Sequence, residues 1–428
     1  MKKVMFILHT YSVGGAERRC LAVANYLATK GVKVKIVLLD INKMYVCQKE
    51  HNGLEIDIQL VESPNTEIPA NNLVEIVYLL HKDEAKILSD KIQCVEYADS
   101  YIPCAEELNC LLGTTEKIEK VKKQLSSLEN LYVDRLYNYI KDFPDYRIIS
   151  WMTFCNLATA VALKELPNEF AFVECTSPDI EFPSDGAINY LKKLYYPRAG
   201  AGFFQTEEIC DFYDFLPNMS KYIIPNPILF SFPERYNGVR KKRIVNFCRI
   251  EKTKNLDLLI DAFEMFRRYH PDYCLYIIGD GSEKHRLKEK ANRRNIAGCV
   301  HFLPFDSNVH KKVLDFSMFV SSSNREGISN SMLEAMAMGL PTICTDCYGG
   351  GAKAIIVDGE NGLLVPMNNK EALCNAMRKI VEVNGLSDSL SKNASKICDS
   401  LSISEIGNKW LKAVTEEWYD VRTIESPI

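Results

Sequence analysis

Short apolar runs alternate with stretches of helical periodicity twice along this chain, once on each side of a proline-bearing segment. In the first half Val4 to Leu8 reads as a strand and Ser12-Val13-Gly14-Gly15 as a turn. Leu21, Val23, Ala24, Tyr26 and Leu27 then form the apolar stripe of a helix that Gly31 closes, and Val34 to Leu39 reads as a second strand. A strand, helix, strand unit argues for a parallel sheet wound by helices. Arg147 to Trp151, Phe170 to Glu174 and Gly202 to Thr206 continue the theme, while from about residue 44 to 146 the pattern weakens into polar, mostly helical stretches such as Thr115 to Leu131, expected as an elaboration. Ile223-Ile224-Pro225-Asn226-Pro227-Ile228 stops either helix or sheet. Beyond it the alternation restarts with strands at Ile244 to Phe247, Leu275 to Ile278, Val300 to Leu303, Phe319 to Ser322 and Thr342 to Thr345. The interleaved helices are Leu256 to Tyr269, Glu283 to Asn295 and about Ser329 to Met338. The expected organisation is α/β: one domain over 1–225, a second over 226–403, and an amphipathic helix from about Ser404 to Trp418 in a tail, 404–428, that crosses back to the first.

Composition agrees. A chain of 428 residues outgrows one core, so two domains of roughly 200 residues are expected. With 47% hydrophobic and 25% charged residues it is globular rather than disordered. Its 15 cysteines are scattered, and the close pair Cys344 and Cys347 has no companions to complete a zinc site, so reduced thiols and no metal are expected. No apolar run reaches the ~18 residues of a membrane span. Met1-Lys2-Lys3 leads straight into the first strand without a cleavable signal, so a cytoplasmic location is expected. Residues 1–225 hold 24 basic and 31 acidic residues, hence −7, and residues 226–428 hold 28 and 25, hence +3. An anionic ligand would prefer the second half.

The candidate site residues sit where strands end. Gly14 and Gly15 open the first helix, where backbone N–H groups can approach a phosphate, although the spacing is not G-x-G-x-x-G. Arg249 ends a strand and Lys254 precedes a helix, a sensible place for two cations that meet a diphosphate. Gly279-Asp280-Gly281 is a tight turn on the same edge as Arg249; as a turn it needs no ligand, but its place lets Gly279 and Gly281 border a nucleotide pocket. In the segment Ser321 to Pro341, Glu326 enters a loop, Gly327 frees its backbone and Ser329 or Asn330 caps a helix from which Glu334 rises. Carboxylates suit sugar and ribose hydroxyls because they accept without competing donors. Glu334 is flanked by Met332, Leu333, Ala335, Met336 and Ala337, so its carboxylate is expected to be partly buried and to need a partner.

Taken in order, Gly14-Gly15-Ala16-Glu17, the Ile-Pro-Asn-Pro linker, Arg249 with Lys254-Asn255, Gly279-Asp280-Gly281, and Glu326 with Glu334 before Ala-Met-Ala-Met-Gly-Leu-Pro make the chain resemble the group 1 glycosyltransferases, family 4 of the retaining enzymes. The resemblance covers the first ~40 residues and nearly all of the chain after the linker. It implies the GT-B fold, two Rossmann-like domains facing across a cleft, with the acceptor on the first and the donor on the second. It also implies that Arg249 and Lys254 neutralise the donor diphosphate, that Glu326 lies beside the donor sugar and that Glu334 bonds the ribose. Backbone amides of Gly327, Ile328 and Ser329 would contact sugar and phosphate, and Gly15 the distal phosphate. Cys248 stands where the family usually has glycine before the arginine, and Pro304 where glycine commonly follows a strand.

Pro341 to Cys347 and Gly359 to Pro366 look most like relatives that build bacterial surface polysaccharides. The implied donor is a UDP-hexose, with GDP-mannose open. The implied acceptor is a glycan, lipid-linked; no nucleic acid partner, metal or further cofactor is implied. Asn189 to Arg198 mixes basic and aromatic residues, as helices on membrane surfaces do, and as ordinary amphipathic helices also do. An epimerase of the same fold and a non-catalytic donor-binding subunit remain as alternatives.

Overall fold

The computed structural model describes residues 2–8, 15–39, 74–78, 133–175, 187–229, 231–306 and 308–420. The first apolar run forms β1 (Lys3–Leu8), buried from Val4 to Leu8. Burial along the whole run, rather than at every second residue, is what a strand covered on both faces requires. Its neighbours in one seven-stranded sheet are β2 (Lys33–Leu38), β3 (Val74–Tyr78), β4 (Arg147–Trp151), β5 (Phe170–Glu174), β6 (Ala201–Phe204) and β7 (Ser220–Ile223). The order is β3-β2-β1-β4-β5-β6-β7 and every pairing is parallel. Within the interval 44–146 that was expected to be helical, β3 is a strand of this sheet and the helix Val133–Ile140 places Val133, Leu136 and Ile140 in the core. The stretch Thr115 to Leu131 lies outside the described residues.

The chain divides into two compact units, the first comprising Met1–Gln205, Ile209–Leu229 and Ile406–Ile428, the second Thr206–Glu208 and Phe230–Glu405. The last helix, Ile403–Thr415, stops short of the expected Trp418, and from Ile406 onward it is part of the first unit. There Trp410 lies flat on Phe203 (4.4 Å between centroids, 6°) and on Trp151 (5.5 Å, 14°). Arg147 donates to the carbonyls of Val414 (2.8 Å) and Glu416 (2.5 Å).

In the segment compared with membrane-surface helices, Lys192, Tyr195 and Tyr196 point inward. Lys192 pairs with the equally buried Glu174 at 3.2 Å, and the Tyr196 hydroxyl donates to the same carboxylate at 2.8 Å. Burial, with that carboxylate nearby, pushes the Tyr196 phenol up. Tyr195 and Tyr196 therefore serve the core, and Lys193 and Arg198 are left nearer the surface. Among the described residues no helix is long and apolar enough to cross a membrane.

The second unit repeats the winding with β8 (Lys241–Phe247), β9 (Cys274–Ile278), β10 (Val300–Leu303), β11 (Phe316–Ser321), β12 (Thr342–Asp346) and β13 (Leu363–Pro366), in the order β10-β9-β8-β11-β12-β13. All pairings are parallel. Successive connections run to one side from β8 and to the other from β11, so the strand order reverses between them. At such a switch point the loops diverge, and ligands of open α/β sheets bind in the crevice this leaves at the carboxyl ends of the strands.

Candidate functional site

Arg249 follows β8 and Glu326 follows β11, so the two strands flanking the switch point deliver them to one edge of the second sheet. Ile250, fully buried, pins the loop after β8, while the Arg249 side chain is 78% exposed and lies 3.2 Å from the Glu251 carboxylate. The loop then turns through Lys252–Lys254 and a left-handed Asn255 (φ 45°) into the helix Leu256–Arg267. Asn is among the few side chains that take this conformation readily.

That turn is held by the end of β11. The Ser322 hydroxyl donates to the carbonyls of Lys254 (3.0 Å) and Asn255 (2.9 Å), and the amide of Asn324 donates to the carbonyl of Thr253 (3.0 Å). Asn255 Nδ2 donates to Asn324 Oδ1 at 2.8 Å. With the two loops tied, the Lys254 ammonium pairs with Glu326 Oε2, their side chains 15% and 21% exposed. The pair is thus half sheltered from water, where charges interact more strongly, yet reachable by a ligand.

The Glu326 loop has a second support. Its amide donates to the Tyr348 carbonyl at 3.0 Å, and Arg325 and Tyr348 form an isolated parallel bridge. A Cβ on Gly349 (φ 95°) would strike the Glu326 carbonyl, and one on Gly351 would land on that of Gly327. The run Gly349-Gly350-Gly351 is visible in the sequence but carries no ligand chemistry; its use here is to let one backbone lie against another.

Gly327 leads to Ile328, whose side chain is buried, so that only its backbone can serve a ligand. Ser329 caps the helix Asn330–Ala337, its hydroxyl accepting from the Met332 amide at 3.4 Å. Glu334 does have the partner its apolar flanks demand: His310 Nε2 lies 2.9 Å from Glu334 Oε2. Sequence reasoning asked for that partner without finding it, because His310 is distant in the chain and sits in a short helix, Val309–Val313.

Gly279 and Gly281 lie against the backbone of the loop after β8. A Cβ on Gly279 (φ 145°) would strike the carbonyl of Cys248, and one on Gly281 that of Ile250. The Ile250 amide donates to the Asp280 carbonyl at 2.8 Å. The turn therefore braces the Arg249 loop from behind. Gly279→Ala should force that loop aside, at about 1–3 kcal/mol, and should weaken nucleotide binding along with the thermal midpoint. Differential scanning fluorimetry with and without nucleotide measures both.

In the first unit Gly15 opens the helix Gly15–Thr29, and Gly14 lies outside the described residues. Burial pushes the thiols of Cys248 and Cys347 up to about 12, so neither offers a thiolate beside the Lys254 and Glu326 pair near neutrality. No group of three His, Cys, Asp or Glu placed to hold a metal occurs among the described residues. What the edge offers is two cations, two carboxylates and the start of a helix, whose unpaired N–H groups favour anions.

Residues 232–397 match the family model described as glycosyl transferases group 1. An uncharacterized glycosyltransferase of Haemophilus influenzae is 26% identical over 187 residues, 44% of this chain and 53% of that protein. The match thus spans about half of that relative's length. The N-acetylgalactosamine-N,N'-diacetylbacillosaminyl-diphospho-undecaprenol 4-alpha-N-acetylgalactosaminyltransferase of Campylobacter jejuni is 27% identical over 254 residues, 56% of this chain and 68% of that protein. Among solved structures, a Staphylococcus aureus TarM variant in complex with Fondaparinux, alpha-GlcNAc-glycerol and UDP superposes with a TM-score of 0.68, at 14% identity, over 97% of this chain and all of that one. The fold is GT-B, and residues 232–397 carry the likeness to the group 1 glycosyl transferases.

Proposed function

We propose that the protein is a retaining glycosyltransferase that moves a hexose from a nucleotide sugar, a UDP-sugar, to a growing lipid-linked glycan in surface polysaccharide synthesis. The observation that carries this reading is the Lys254 and Glu326 pair at the switch point of the second sheet, next to Arg249 and the start of the helix Asn330–Ala337. Departure of a nucleoside diphosphate leaves negative charge, and preset cations and N–H dipoles stabilise it without a metal. Lys254 and Arg249 meet the diphosphate, Glu326 positions the sugar, Glu334 accepts from the ribose, and backbone amides from Gly327 to Ser329 reach sugar and phosphate. In a front-face attack the acceptor oxygen bonds to the anomeric carbon as the bond to the diphosphate breaks, and a donor phosphate oxygen takes the acceptor proton. The lipid-linked acceptor rests on the name of the Campylobacter relative, and the uridine donor on the UDP named in the TarM complex. The acceptor would be met at a membrane surface, the chain associating peripherally.

Ranking nucleotides and nucleotide sugars by thermal shift, then assaying the stabilising donor with lipid-linked acceptors, tests this. UDP-hexoses should stabilise most, transfer should survive chelation of divalent ions, and proton NMR of the product should show the donor's anomeric configuration. Conversion of the donor alone into an epimer, or tight UDP binding with no transfer to any acceptor, would replace the assignment with one of its two alternatives.

A further inference from the structure

His310 stands edge-on to Phe232, 5.0 Å between ring centroids at 88°, and to Phe247, 6.2 Å at 85°. Phe247 is the last residue of β8 and packs on Phe319 of β11 at 4.9 Å, so the imidazole is braced by the two strands that flank the switch point. Its Nε2 faces Glu334 Oε2 at 2.9 Å, with both side chains less than a fifth exposed. A carboxylate only accepts, so the facing ring nitrogen must carry the hydrogen, which fixes the Nε2–H tautomer.

We propose that His310 is a positioning residue for the donor nucleotide: by holding Oε2 of Glu334 it aims Oε1 at a ribose hydroxyl and sets the preference for ribonucleotide over deoxyribonucleotide. This rests on the reading of Glu334 as the ribose ligand. A glutamate on a helix samples several rotamers, and ordering it on ligand binding costs affinity. The His310 contact removes that cost before the ligand arrives. It also leaves one carboxylate oxygen uncommitted, and a buried acceptor aimed at one hydroxyl discriminates strongly against the analogue that lacks it.

The experiment is calorimetric titration of the full-length protein with UDP and GDP and with their 2′-deoxy counterparts. His310→Phe keeps the aromatic packing and deletes the donor, His310→Gln keeps a donor, and Glu334→Gln weakens the acceptor itself. The wild type should prefer the ribonucleotide; the preference should fall roughly three- to tenfold in His310→Phe, stay largely intact in His310→Gln and fall furthest in Glu334→Gln. A merely structural His310 would weaken both nucleotides equally and leave the ratio unchanged, which overturns the inference. Loss of preference in Glu334→Gln with full preference in His310→Phe overturns it alone. Unchanged preference in Glu334→Gln, or a wild type that binds both sugars alike or neither, overturns the ribose reading of Glu334 together with it.

Discussion

In Lys254→Ala the turnover number should fall by roughly 10²- to 10³-fold, the loss that follows removal of one preset charge-stabilising group, while the protein stays folded. The two halves of that expectation separate because Lys254 acts through different atoms in structure and in chemistry. Its carbonyl accepts from the Ser322 hydroxyl and fixes the turn, and an alanine keeps that carbonyl. Its ammonium pairs with Glu326, and both side chains reach water, so the abandoned carboxylate is not stranded in an apolar interior. A partly exposed pair of this kind contributes about 0–1 kcal/mol to stability. On the proposed reading its worth lies in the transition state, where the leaving diphosphate would gain charge, so the loss should appear in kcat as much as in kcat/KM. Lys254→Arg should recover little, since a planar guanidinium reaches farther and cannot take the position of a compact ammonium. Steady-state rates at saturating donor, beside a thermal melt, measure both halves. Normal turnover in Lys254→Ala would remove the assignment of this edge as the donor site.

How much of this was legible in the sequence depends on how local each cause is. β1, β2, β4, β5, β6 and β11 could be read because they are buried nearly along their whole length and appear as apolar runs, and the positions of Arg249, Lys254, Glu326 and Glu334 because glycine, serine and proline punctuation marks where strands end. β3 escaped notice: it sits inside a polar stretch, and its placement depends on pairing with β2, which no local pattern announces. The supports of the site escaped for the same reason. Ser322 reads as a strand end, yet its hydroxyl ties the Lys254 turn across 68 residues. Gly279 and Gly281 read as turn glycines at a sheet edge, and the carbonyls of Cys248 and Ile250 packed behind them could not be read from the local sequence.

Trp410→Ala should destabilise the first unit by about 3–5 kcal/mol, the usual cost of emptying a large aromatic from a core. The indole is completely buried and stacks on Phe203 and Trp151, with Phe6 edge-on at 6.3 Å. These rings come from β6, β4 and β1, so one side chain from the end of the chain fills the space over three strands of the first sheet. Collapse around the void is limited because the neighbours are rigid aromatics, of which Phe6 and Trp151 also meet edge-on at 6.1 Å. Trp410→Phe should cost much less: it keeps a stacked ring, and the indole N–H it deletes has no hydrogen-bond partner among the described residues, so no described acceptor is orphaned. For a unit of this size each kcal/mol shifts the midpoint by about 2–4 °C, giving a drop of roughly 6–20 °C in Trp410→Ala. Hydrogen exchange distinguishes local loss from general damage. Protection should fall in β1, β4 and β6 and persist in β8 and β11, which belong to the sheet of the second unit. Removing residues 403–420 should be harsher still. The Arg147 guanidinium, 5% exposed, would lose the Val414 and Glu416 carbonyls and the Trp418 ring 4.6 Å away, keeping among the described residues only Glu169 as a hydrogen-bond partner. The tail is therefore part of the first unit's core, and its truncation should leave that unit unable to show a cooperative melt.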